Sequence, residues 1–281
     1  MLSRIRLVTI AASVLTGTLM AHADDYKPVE QMSPSAVSTG GKAADIVGIS
    51  PGMRCSEAEV FVRKVAEDVK YGNGEPQKDT LRLQTRFKGL SVSTEEFVNR
   101  LVVSGVQPDI QTSLDVACSG FASGNQVTAV SRQLVYTKQW SAPAVSDLLA
   151  SLKAKYGEPS GSADDMFNTK LYFWTYRNGS QYPCENKNKS PDICGGGFFQ
   201  PVYDPDSFQD FLKRDPRISE VRIVASIQTW SEEPTKVSRF GVVVNDGART
   251  AKAAKIDSDD LFAEADRQYA AKNKPVSAPK L

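Results

Sequence analysis

The sequence predicts an α+β protein in which helices pack on one face of an antiparallel sheet. Residues 80–87 alternate apolar and polar side chains, which is the pattern of a half-buried strand. Residues 221–230 and 237–244 flank the short polar stretch SEEPTK and predict an antiparallel hairpin. Residues 93–101 predict a short capped helix, with a strand as the alternative. Antiparallel strands with intervening helices are typical of α+β folds.

Two helices are predicted from the same spacing of apolar residues. Ser56 and Glu59 have the spacing of a capping box and mark the start of the first helix. Ser141 is expected to cap the second helix, which ends at Gly157. A third helix is expected to begin at Ser258. The apolar positions are Ala58, Phe61, Val62, Val65 and Val69 in the first helix and Val145, Leu148, Leu149, Leu152 and Tyr156 in the second.

The order strand, turn, helix, strands occurs twice, which predicts two related modules. The first module covers residues 44–137. The second covers residues 138–250 and includes a disulfide loop. Residues 24–43 are rich in Pro, Ser, Gly and charge, so we expect a flexible leader before the first module. A helix and a tail are expected in residues 251–281.

The N-terminal residues have the pattern of a secretory signal peptide. Arg4 and Arg6 precede the mostly apolar residues 7–20, and Ala21-His22-Ala23 matches a small-x-small cleavage site. We therefore expect residues 1–23 to be removed and the mature protein to be periplasmic or secreted. The apolar stretch is short for a membrane span, and no cysteine follows it directly. Neither a membrane span nor a lipid anchor is expected.

Composition argues against several classes of function. The chain has 34 Lys and Arg against 33 Asp and Glu, so nucleic acid is not an expected partner, because phosphate binding needs clustered positive charge. The single histidine, His22, lies in the signal peptide, so Ser-His-Asp and Cys-His sites lack their base. The cysteines lack the close paired spacing of zinc sites. We expect neither a metal nor another cofactor.

Carboxylates support an alternative function. Glycoside hydrolysis uses two carboxyl groups and needs no histidine. Asp164, Asp165, Glu185 and Asp204 lie near an aromatic strand in the sequence. The alternative is therefore a carboxylate-dependent hydrolase that acts on an envelope glycan, and the separation of these groups in space decides it.

The 4 cysteines predict two disulfide bonds in an exported chain. Three connectivities are possible. We favour Cys184 with Cys194, which closes a short local loop, and Cys55 with Cys118, which joins a helix start to a strand. A reactive thiol at Cys55 is the alternative, because a helix N-terminus lowers the pKa of a thiol.

An aromatic strand is the most informative feature of the second module. Alternation places Tyr172, Trp174 and Tyr176 on one face, and Leu171 and Phe173 on the other. Either both faces are buried in the core, which the pattern favours, or one face is a binding surface, since aromatic residues are enriched at interface hot spots. The candidate binding residues are Tyr172, Trp174, Tyr176, Phe198, Phe199 and Tyr203.

Short motifs resemble two families of binding modules. The sequence has Tyr156-Gly157-Glu158-Pro159 after the second helix, Trp174-Thr175-Tyr176 on a strand, and Gly52-Met53 before the first helix. Together these resemble the envelope modules of the SmpA/OmlA type and the tandem repeat of β-lactamase-inhibitor proteins. The resemblance implies a curved antiparallel sheet with packed helices and a role in binding other proteins. SmpA-type proteins are usually lipoproteins, and this sequence lacks the lipidation cysteine.

The sequence therefore predicts a non-enzymatic exported protein that binds another protein of the cell envelope or exterior. The aromatic strand and the disulfide loop are the expected contact surface. A further alternative is a structural accessory that docks through the apolar face of the C-terminal helix, at Leu261, Phe262, Ala265 and Tyr269.

Overall fold

The computed structural model describes residues 26–70, 74–165, 168–183 and 221–274, and it shows the predicted α+β fold. The helices are α1 (Cys55–Asp68), α2 (Val145–Tyr156) and α3 (Gly247–Lys272), with a 3-10 turn at Gln139–Ser141. The strands are β1 (Gln77–Leu81), β2 (Gln84–Phe87), β3 (Leu90–Ser93), β4 (Phe97–Gln107), β5 (Ile110–Cys118), β6 (Val127–Tyr136), β7 (Gly161–Asp165), β8 (Thr169–Arg177), β9 (Ser180–Gln181), β10 (Val221–Thr229) and β11 (Val237–Asp246).

One antiparallel sheet runs through both halves of the chain. Its order is β1-β4-β5-β6-β11-β10-β8-β7, and β9 pairs with β8. The order is symmetric about the centre, because each half contributes a helix followed by four of these strands and the last strands, β6 and β11, pair with each other. A separate hairpin of β2 and β3 lies outside this sheet. That the two halves are related modules stays a prediction from the sequence.

The helices α1 and α2 pack on the same face of the sheet. α1 lies over β4 and β5, and α2 lies against β8, where the ring centroids of Tyr156 and Trp174 are 5.5 Å apart. β6 and β11 therefore run between the two helices. Buried side chains from both helices and from the facing strands form one core, which includes Val62, Val65, Leu101, Leu114, Val116, Leu152, Trp174, Ile223, Val242 and Val244.

The disulfide Cys55–Cys118 confirms one of the two favoured pairings. It joins the first residue of α1 to the last residue of β5, which is 63 positions away. Because Cys55 is bonded, the alternative of a reactive thiol at this position is wrong. The other favoured pair, Cys184 and Cys194, lies outside the described residues.

The leader differs from the sequence expectation, because residues 26–43 form an N-terminal strap that packs on the domain. Tyr26 bridges to Thr94, and the strap residue Met32 is 7 % exposed. Glu30 pairs with Arg54 at 2.9 Å. The polar residues of the strap thus find partners on distant parts of the chain, which a composition argument does not reveal.

The C-terminal helix begins earlier than predicted. α3 starts at Gly247 rather than at Ser258, because the side chain of Asp246 accepts a hydrogen bond from the Arg249 N–H at 2.9 Å and caps it. Its small residues Ala253 and Ala254 are fully buried in a cluster with Met32 and Phe97.

Residues 93–101 also differ from the first expectation. The predicted short helix is wrong, and the alternative strand is present as β4. None of the helices in the described ranges is long and apolar enough to cross a membrane.

Candidate binding surface

The predicted aromatic strand is β8, and its aromatic side chains lie in the core under α2. Tyr172, Trp174 and Tyr176 are 9 %, 0 % and 2 % exposed. Trp174 Nε1 donates a hydrogen bond to the Gly157 carbonyl at 2.8 Å, and the Tyr176 hydroxyl donates to the Tyr156 carbonyl at 3.4 Å. Trp174 and Tyr176 thus hold α2 on the sheet, and none of the three side chains forms an exposed contact surface.

The opposite face of β8 is buried as well. Leu171 is 5 % exposed and Phe173 is 0 % exposed, and both belong to a small cluster with Ala163 and the partly buried Val224. The side chains on both faces of β8 are therefore buried, as expected for a core strand. The other candidate binding residues, Phe198, Phe199 and Tyr203, lie outside the described residues.

The most exposed large hydrophobic side chain in the described ranges is Trp140, at 76 %. It lies on the 3-10 turn between β6 and α2. Val106, near the end of β4, is 72 % exposed. A cavity of about 470 Å³ opens between the end of α1, the turn from β4 to β5, and Ser141 of the 3-10 turn. We define the Trp140 surface as Val69, Val106, Pro108, Ile110 and Trp140, of which all but Trp140 line this cavity.

The end of α1 is fixed to the β4–β5 hairpin at this surface. Gln107 Nε2 donates a hydrogen bond to the carbonyl of Asp68 at 2.9 Å. Gly105 lies directly against Val69, since a Cβ at this position would be 2.6 Å from Val69 Cγ2. The missing side chain lets the helix end approach the strand closely, which places Val69 in the cavity wall together with Val106.

Hydrogen bonds hold the turn that carries Trp140. The Thr137 N–H donates to the Asp109 carbonyl at 2.8 Å, which ties the turn to the same hairpin. The Ser141 hydroxyl donates to the Lys138 carbonyl at 2.9 Å. Lys138 Nζ lies 5.3 Å from the centroid of the Trp140 ring, a cation–π contact. The indole is therefore displayed from a fixed backbone.

This arrangement suits contact with an apolar side chain of another protein. Tryptophan offers a large apolar area at a small cost in side-chain entropy and is enriched at hot spots. Asp68, Lys70, Asp109 and Lys138 lie around the surface and give a rim of both charge signs. An apolar centre with a polar rim is the usual anatomy of a protein–protein interface.

A larger cavity, of about 930 Å³, lies at the opposite end of the sheet, between the N-terminal strap, β8 and the start of α3. Arg249 at its base is already fully engaged. Its guanidinium pairs with Asp246 at 3.2 Å, and donates to Gln126 Oε1 at 2.6 Å and to the Ser35 carbonyl at 2.8 Å. This buried charge holds the strap in place.

The positions of Asp164 and Asp165 on β7 do not support the alternative of a carboxylate-dependent hydrolase. Asp164 and Asp165 are neighbours on one strand, so their side chains point to opposite faces. The Asp164 side chain is 89 % exposed and lies 4.0 Å from Lys170 Nζ. Glu185 and Asp204 lie outside the described residues. Within the described ranges, no group of three or more His, Cys, Asp or Glu residues is arranged to hold a metal ion.

Comparison with known proteins gives no match to a family model, to a curated protein or to a solved structure. The resemblance to SmpA/OmlA-type modules and to β-lactamase-inhibitor repeats therefore stays a prediction from short motifs.

Proposed function

We propose that this chain is an exported, non-enzymatic protein that binds another protein of the cell envelope or exterior through the Trp140 surface. The observation that carries the proposal is the 76 % exposure of Trp140 beside an apolar-walled cavity. Single large apolar side chains on a protein surface are common, but an exposed tryptophan together with the exposed Val106 and an apolar cavity wall forms a patch of the kind that marks interaction sites.

Two features support an exported location. The first is the signal-peptide pattern of residues 1–23. The second is the Cys55–Cys118 disulfide, because disulfides persist in oxidising compartments and are rare in the cytosol. We assign the mature protein to the periplasm or to the exterior.

The chemistry of the surface defines the kind of partner segment. The cavity of about 470 Å³ accommodates an apolar side chain, and Trp140 is exposed on the adjoining 3-10 turn, whose Ser141 lines the cavity. The partner therefore presents an apolar side chain flanked by polar groups that meet Lys70, Asp109 and Lys138 at the rim.

The test compares capture by the mature protein with capture by matched variants. Trp140→Ser removes the central contact. Val60→Ser is the control, because Val60 is also exposed, at 67 %, but lies on α1 and lines no part of the cavity. Purified residues 24–281 and both variants are immobilised, incubated with extract of the native cell envelope, and the retained proteins are quantified by mass spectrometry.

The proposal expects one protein that is retained by the wild type and by V60S, and whose recovery falls about tenfold or more with W140S, the loss expected for a hot-spot residue. Equal recovery by W140S, or an empty capture by the wild type, contradicts the proposal. Circular dichroism of both variants must match the wild type, which excludes unfolding as the cause of a loss.

A further inference from the structure

A second feature, independent of the Trp140 surface, lies between the two helices. Alternation along β6 places Arg132 on the same face as Val130 and Leu134, which belong to the core or pack against it. Its partners across the sheet are Leu114 on β5 and Val242 on β11, and both are buried. Arg132 is thus a half-buried cation on the helix-covered face of the sheet.

Arg132 has no partner for its charge within the described part of the chain. Its Nε is buried and makes no hydrogen bond. Asp68, the last residue of α1, and Tyr136 act on the guanidinium electrostatically, but neither forms an ion pair or a hydrogen bond with it. Burial lowers the pKa of the Arg132 guanidinium from its ordinary value.

Several arginines in the described part of the chain pair with carboxylates, whereas Arg132 does not. A buried donor without a partner is unfavourable, and native structures rarely keep one. The arginines that pair with carboxylates include Arg54 with Glu30, Arg63 with Glu59, Arg100 with Asp115, and Arg249 with Asp246. Among the residues that the structure describes, the buried Nε of Arg132 lacks such an acceptor, and a bound anion would supply one.

The surroundings define the charge and the shape of that acceptor. A guanidinium matches the geometry of carboxylates and phosphates. Asp68 lies near enough to repel a second anion, so a group with a single negative charge is favoured over a doubly charged phosphate. Leu114 and Val242, opposite Arg132 on the neighbouring strands, are buried in the core, and the partly buried Leu134 beside it is left to contact an apolar substituent.

We propose that Arg132 is a binding site for a carboxylate that carries an apolar chain, seated between α1 and α2 over β6. The carboxylate accepts hydrogen bonds from the guanidinium, and its apolar chain covers Leu134. The site does not depend on the protein partner of the Trp140 surface, so either proposal can fail without the other.

The test observes the arginine Nε–H groups of the ¹⁵N-labelled mature protein by NMR while sodium hexanoate, sodium acetate or sodium phosphate is added. Sodium chloride at equal ionic strength is the reference. Arg100 is the internal control, because its Nε donates to Asp115 at 2.9 Å and is not free. Arg132→Met gives the assignment of the signal and removes the site.

The proposal expects the Arg132 signal to shift and saturate with hexanoate, at a concentration about tenfold below that of acetate because the longer chain buries more apolar surface. The Arg100 signal stays in place, and the backbone signals of Leu114 and Val242 no longer respond in R132M. A shift no larger than that with sodium chloride overturns the site. Tighter binding of phosphate than of hexanoate overturns the class of ligand. If R132M does not fold, the titrations of the wild-type protein with hexanoate, acetate and phosphate decide the proposal.

Discussion

Asp257, in the middle of α3, accepts hydrogen bonds from both the N–H and the hydroxyl of Ser123, at 2.9 and 2.7 Å. The carboxylate also accepts from the Gly120 N–H at 2.9 Å, and its residue is 2 % exposed. One buried side chain thus organises the loop between β5 and β6 and fixes the C-terminal helix to the sheet.

Replacing Asp257 with alanine is expected to lower the free energy of unfolding by about 3 kcal/mol, because buried donors on Gly120 and Ser123 lose a charged acceptor. Asp259→Ala is the matched control two positions away, since Asp259 is exposed and pairs with Lys255 at the surface. The control is expected to cost less than about 0.5 kcal/mol. Urea denaturation measures both, and equal losses would show that Asp257 does not hold the loop.

Removal of the Cys55–Cys118 disulfide is expected to destabilise the fold by about 4 kcal/mol, because the bond closes a loop of 63 positions and restricts the unfolded chain. The measurement is the denaturation midpoint of a Cys55→Ser, Cys118→Ser double variant against the wild type. An unchanged midpoint would contradict a structural role for this bond.

The loss of stability of the fold at acidic pH is expected to depend on Glu59. Its hydrogen bond with Lys78, at 2.8 Å, lowers the pKa of the Glu59 carboxyl from its ordinary value, partial burial opposes this, and Arg63 adds to the lowering. A carboxyl with a lowered pKa in the folded state stabilises the fold above its unfolded pKa, and this contribution is lost as the pH falls.

Glu59→Gln is therefore expected to be less stable than the wild type at about pH 7 and equally stable near about pH 3. Denaturation at a series of pH values measures the difference. In the background of Lys78→Gln the effect of E59Q should shrink, because the main partner is already missing. A difference that stays constant with pH would contradict the ion pair.

The N-terminal strap is expected to loosen when Arg249 loses its charge. Arg249→Met leaves Asp246 buried without its partner and removes the hydrogen bonds to Ser35, at a cost of about 3–5 kcal/mol. Limited proteolysis should then cut residues 26–43 before the rest of the domain. Lys252→Met, at an exposed position of the same helix, is the control and should resist like the wild type. Equal resistance of R249M would show that other contacts hold the strap.

Local patterns were sufficient for much of the fold. The alternation of residues 127–136 corresponds to β6, and Gly157 ends α2 as its position predicted. The predicted start of α1 was nearly right. It begins at Cys55, where Glu57 rather than Glu59 accepts a hydrogen bond from the N–H of the N-cap residue, at 3.3 Å.

The parts that sequence reasoning missed depend on contacts between distant residues. The strap is held by Arg249, which is separated from Ser35 by 214 positions, so no local pattern reveals it. Trp140 does not fit the spacing of apolar residues in a predicted helix or strand. Its signal in the sequence was its place between a strand and a helix, where a large aromatic side chain has no core face to occupy. The aromatic side chains of β8 are part of the core and not of a binding surface.

Site-specific photo-cross-linking tests the central claim most directly. A photoreactive phenylalanine analogue replaces Trp140 in one version of the chain and Val60 in another, and both are exported and irradiated in native cells. The Trp140 surface predicts a covalent adduct with one second protein from position 140 and none from position 60. No adduct at position 140, or the same adduct from both positions, would contradict binding at this surface.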